Sequence, residues 1–131
     1  MSCKLHPAIE KYLTSVETNT PRACPEQHAL AAHIRRCFSV EDIHVDGGQL
    51  GKYLGLVRYF PYEAIFPWEE FLIALWDCTY RADGSPRWKT LLCMVGRGAG
   101  KDGFIAFDGA CSISPYNPVT HYNVDICANN E

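Results

Sequence analysis

Residues 91–102 read Leu-Leu-Cys-Met-Val-Gly-Arg-Gly-Ala-Gly-Lys-Asp, an apolar run that breaks into three alternating glycines and a lysine. An apolar run of this kind ending at glycine predicts a buried strand. The glycines let the backbone turn through conformations in which a Cβ would collide. Successive N–H groups in such a turn point inward and form a cradle for phosphate oxygens. Gly96, Gly98, Ala99 and Gly100 would shape that cradle, and Lys101 would reach the outer phosphates. A helix opening behind Lys101 would present its positive end to the same charge.

The spacing departs from G-x-x-x-x-G-K-[ST] in two places. Val95 stands where the first glycine belongs, and Asp102 replaces the hydroxyl that ordinarily holds magnesium. The competing reading is an ordinary glycine-rich loop closing a strand. Context favours the cradle, because Phe104, Ile105, Phe107 and Ala110 continue with an apolar pattern suited to a helix on a sheet. Ser114-Pro115-Tyr116-Asn117-Pro118 ends that helix, and residues 123–128 predict a second strand. Strand, turn, helix and strand make a βαβ unit, with residues 88–95 and 123–128 expected as adjacent parallel strands.

The N-terminal half reads differently. Pro7 opens a helix whose face is Ile9, Tyr12, Leu13 and Val16, and Pro25 opens a second with Leu30, Ile34, Cys37 and Phe38. Ser39 with Asp42 is expected to cap a short third helix, Asp46-Gly47-Gly48 to turn, and Gly51 and Gly55 to keep the next stretch irregular. Pro67 then starts a helix striped by Trp68, Phe71, Leu72, Leu75 and Trp76, and residues 81–86 form a loop. The expected fold class is therefore α/β: a truncated P-loop NTPase unit over residues 61–131, preceded by a helical segment over residues 1–60.

Charge and cysteines narrow the function. A net charge of −3 without a basic stripe gives nucleic acid no electrostatic footprint on this chain. The apolar runs are far short of a membrane span and the first residues do not begin a signal peptide, so the chain reads as soluble and cytoplasmic, with no membrane partner. Seven cysteines with no C-x-x-C pair point to reduced thiols. Cys24, His28, His33 and Cys37 look like zinc ligands, but on a helix the first two and the last two fall on opposite faces, which cannot close one tetrahedron.

A hydrolase of this type also needs an acidic residue at the end of an apolar strand, to hold magnesium and poise water. Asp77 ends an apolar run that reads as helix, Asp108 lies on the helix behind the glycine turn, and Asp125 sits within the second expected strand. None meets the requirement, and the chain reads as the front of a larger protein.

Together, Phe66-Pro67-Trp68-Glu69-Glu70-Phe71, Asp83-Gly84, Val95-Gly96-Arg97-Gly98-Ala99-Gly100-Lys101-Asp102 and Asp125-Ile126-Cys127-Ala128-Asn129-Asn130-Glu131 resemble the large subunit of tailed-bacteriophage terminase, the motor that packages DNA. The resemblance covers about residues 60–131. It implies an ATPase with ATP and Mg²⁺ as cofactors, the base near Trp68 and Glu69 and the phosphates over residues 96–101. Glu69 stands where the family usually has glutamine. The resemblance gives Arg97 and Lys101 as catalytic residues, Arg97 acting on the γ-phosphate, with a salt bridge at the helix end or sheet edge as the alternative for that arginine. Asp102 is the candidate metal ligand, although a carboxylate there also repels phosphate. Implied partners are the terminase small subunit, the portal protein and double-stranded DNA, in a ring formed only by the full-length protein, within the host cytoplasm. The acidic strand end and the nuclease domain would lie past Glu131, so the chain alone is expected to bind ATP without turning it over. A truncated, non-catalytic nucleotide- or partner-binding fragment and a small P-loop nucleotide kinase are the alternatives.

Overall fold

The structure is a computed structural model that describes residues 5–127. Helix α1 (Pro7–Glu17) starts at a proline, with the His6 ring accepting from the Ala8 N–H, and buries Ile9, Leu13 and Val16. Helix α2 (Pro25–Val40) also starts at a proline and buries Ala31, Ile34, Cys37 and Phe38, with Leu30 more than a third exposed. Arg35 of α2 ties the two together by bonding Glu10 at 2.9 Å and Glu17 of α1. That shared guanidinium holds both carboxyls below the usual carboxylate range.

Strand β1 (Ile43–Val45) follows directly, where the sequence predicts a third helix capped by Ser39 and Asp42. It pairs antiparallel with β2 (Thr79–Arg81), Ile43 opposite Arg81, His44 opposite Tyr80 and Val45 opposite Thr79. Between them lie α3 (Gly47–Gly55), a 3-10 turn (Leu56–Tyr59) and α4 (Pro67–Trp76). Helix α3 replaces the irregular stretch expected from its glycines. The Asp46 carboxylate accepts from the Gln49 N–H at 3.0 Å, and Leu50 and Tyr53 bury one face; capping and burial together outweigh low glycine propensity. Helix α4 packs on α1, where Tyr12 stacks on Phe71 at 4.3 Å between centroids.

Helix α5 (Lys101–Ile113) begins where the sequence places it and runs two residues past the expected end near Cys111. Phe104, Phe107 and Cys111 face inward, and a continuous core cluster runs from Ala8 to Cys111. The parallel βαβ arrangement is corrected. The structure is α/β in content, with helices around one two-stranded antiparallel sheet, and no parallel pair is present among the described residues. Residues 88–96 form no strand, and Leu92 and Met94 are more than four-fifths exposed. Residues 123–127 likewise form no strand and are exposed, while Ala128 lies outside the described residues. A strand needs a neighbour for its N–H and C=O groups, and within residues 5–127 the only ladder is β1–β2, which neither segment joins.

Leu13→Ala should cost about 2–5 kcal/mol in urea denaturation, the range for a truncated core leucine. Met94→Ala should cost under about 0.5 kcal/mol, as befits an exposed side chain.

Candidate functional site

The glycine turn is built as a tight left-handed path. Gly98 has φ +80° and Gly100, which caps α5, has φ +82°, conformations that side chains bearing a Cβ rarely adopt. The Ala99 N–H bonds the Gly96 carbonyl, and the Phe104 N–H bonds the Gly100 carbonyl to close the first helical turn. No side chain caps α5, so the first N–H groups of the helix are left without a capping side-chain acceptor. Gly96, Arg97, Gly98, Ala99, Lys101 and Asp102 are all exposed, and neither cation forms a salt bridge among the described residues. The salt-bridge reading of Arg97 therefore has no partner among those residues. Asp102 sits in the first turn, where a carboxylate complements the helix dipole.

The segment before α4 is brought to the same helix end. The Tyr62 hydroxyl donates to the Gly103 carbonyl at 3.0 Å, and a Cβ on residue 103 would stand 3.0 Å from that hydroxyl. A Cβ here would press on the Tyr62 hydroxyl, which would have to give by a few tenths of an ångström. Trp68, half-buried, lies 5.5 Å from the Phe104 ring, one turn into α5. Phe60 meets Phe107 edge-on at 5.2 Å. Trp68 and the glycine turn thus share one end of α5, 30 residues apart in sequence. Glu69 is buried on the neighbouring side of α4, where loss of hydration pushes its carboxyl up.

Sequence reasoning weighed Asp77 and Asp108 separately and set both aside. The structure brings them near one another: Asp77 caps the end of α4, Asp108 is two turns into α5, and burial first, then the Asp108 carboxyl, pushes the Asp77 carboxyl up. Each ends an apolar run on a helix, and only the packing of those helices reveals the pair. In contrast, His33 and Cys37 approach to 3.5 Å while the described residues contain no group of three or more His, Cys, Asp or Glu placed to hold a metal ion. Burial, then the neighbouring Glu41 carboxylate, pushes the Cys37 thiol up. Glu41 itself is held at about 2, chiefly by its hydrogen bond from Arg87. No helix among the described residues is long and apolar enough to cross a membrane.

No family model, curated protein or solved structure matches the chain.

Glu69→Gln supplies a test of the base-side helix. A carboxyl raised by burial favours folding in acid and loses that advantage as pH rises through its folded titration. Wild type and Glu69→Gln should therefore unfold alike at acid pH, and the glutamine variant should become the more stable as pH rises. Urea curves across the pH range read the difference.

Proposed function

We propose that the chain binds a nucleoside triphosphate, as the front portion of a terminase-type packaging ATPase. One observation carries the reading. A turn with two glycines at positive φ runs into the uncapped start of a 13-residue helix, beside two exposed, unpaired cations, Arg97 and Lys101. Such a turn offers backbone N–H groups to phosphate oxygens, and the helix end adds its positive partial charge. Lys101 would contact the outer phosphates and Arg97 the γ-phosphate. Trp68 offers a ring face at the same helix end, which suits a stacked base.

Glu69 fits the base contact less well than Trp68, since its carboxyl is turned into the protein. A carboxyl can still accept from an adenine amino group. Asp102 would meet Mg²⁺ rather than phosphate, its exposed carboxylate being a hard oxygen ligand. In the complete ATPase, hydrolysis at this site would drive DNA movement with the small subunit and portal as partners.

Calorimetric titration with MgATP tests the reading. Lys101→Ala should weaken binding by about 2–3 kcal/mol, as expected for loss of a charge-assisted contact. Equal affinity in wild type and variant would remove Lys101 from the site. Phosphate release by the 131-residue chain should stay at background even with ATP bound, because among the described residues no acidic side chain ends an apolar strand beside the turn to orient water. Turnover that disappears in Asp102→Ala would overturn that expectation.

A further inference from the structure

The segment after α5 folds back against it. Val124 Cγ1 comes within 3.5 Å of where a Cβ on residue 109 would stand, ordinary van der Waals contact. Between the helix and residues 122–126 lies a cavity of about 270 Å³. Pockets for drug-sized ligands run to about 300–1,000 Å³, so this one suits a smaller occupant.

Ile105, Asp108 and Ser112 fall at i, i+3 and i+7 on α5 and turn one helix face to the cavity. Ser112 is only 9% exposed, and its carbonyl accepts from Asn117, but its hydroxyl makes no hydrogen bond among the described residues. Buried hydroxyls ordinarily have a partner, and this one lines the cavity. Asp108, half-buried, and Asp125, exposed on the returning segment, add two carboxylates. No lysine, arginine or histidine lines the cavity to balance them. Ile105, Val124 and Ile126 supply apolar wall, each more than a third exposed.

A carboxylate accepts hydrogen bonds and cannot donate, and a serine hydroxyl can also accept, so the polar part of the lining calls for a donor carrying positive charge. A bare calcium or magnesium ion takes about six or more oxygen ligands. The described residues contain no group of three or more His, Cys, Asp or Glu placed to hold one. An alkylammonium ion matches both halves of the lining. Its N–H groups meet the carboxylates, and its methylenes lie against aliphatic side chains.

We propose that the cavity between α5 and residues 122–126 binds a small protonated aliphatic amine, the ammonium held by Asp108, Asp125 and the Ser112 hydroxyl. A diamine neutralises both carboxylates, so putrescine should bind more tightly than butylamine. Salt should weaken both, because the cavity is open to solvent at Asp125. The site uses none of the residues of the glycine turn and is independent of nucleotide.

Amide NMR of the full chain, titrated with putrescine in the absence of nucleotide, tests this. Saturable shifts should centre on residues 105–112 and 122–126. Asp108→Asn and Asp125→Asn should each weaken binding about tenfold or more, the scale of a lost charge-assisted contact. Ser112→Ala should weaken it about threefold, and Lys101→Ala should leave it unchanged. Asp125 is exposed, so its variant reads the site without disturbing the core. No saturable shift, an equal response to n-butanol, or unchanged affinity in Asp125→Asn would overturn the site. The same shifts produced by magnesium chloride would overturn the amine as its ligand.

Discussion

Burial of α4 is the constraint on which the rest of the structure depends. Its buried residues Glu69, Phe71, Ile73, Ala74 and Leu75 cover most of the helix circumference rather than a single stripe. A helix apolar on nearly every side must be enclosed by other elements. Helix α1 covers one side through Tyr12 and Phe71, α3 and β2 contact others, and Phe104 of α5 meets Trp68 near its start. The same enclosure accounts for two perturbed carboxyls. Glu69 in the first turn and Asp77 just past the last are carried into a poorly hydrated interior, and both are pushed up.

The local polar bonds are consistent with that enclosure. Thr79, fully buried at the start of β2, donates to the Ala74 carbonyl at 2.8 Å and satisfies a backbone group near the end of α4. Gln49, also buried, donates to the Tyr53 hydroxyl and accepts from Tyr80, linking α3 to β2. The Tyr80 hydroxyl also donates to the Asp77 backbone carbonyl at 2.9 Å, while the buried Asp77 Oδ2 has no partner among the described residues.

What the sequence made legible was periodic or punctuated. Pro7, Pro25 and Pro67 marked helix starts, Ile9, Leu13 and Val16 marked a core face, and the lysine after Gly100 marked the start of α5. What stayed hidden depended on distant residues. The run at 91–95 has strand composition, yet composition cannot supply a neighbouring strand, and Leu92, Cys93 and Met94 remain exposed. Gly47, Gly48, Gly51 and Gly55 argue against a helix locally, but the Asp46 cap and the buried Leu50 and Tyr53 determine the outcome. The glycine turn was readable because its conformation is a property of the glycines themselves. The meeting of Asp77 with Asp108 depends on helix packing, which no short window contains.

Asp102 illustrates how one residue can suit the fold and constrain the site. In the first turn of α5 its carboxylate lies against the positive end of the helix, a placement worth about 0.3–1 kcal/mol at an exposed position. That preference needs no ligand. A phosphate arriving at the Gly98–Gly100 turn would compete for the same positive potential and meet the Asp102 charge as repulsion. Lys101 and Arg97 outnumber that single charge, and a divalent cation between carboxylate and phosphate would convert the repulsion into a bridge. On the proposed reading, the arrangement would favour a metal-bound polyphosphate over a bare one. That preference would rest on the charge order along residues 97–102, cation, cation, then acid, set on a backbone that turns at glycines of positive φ.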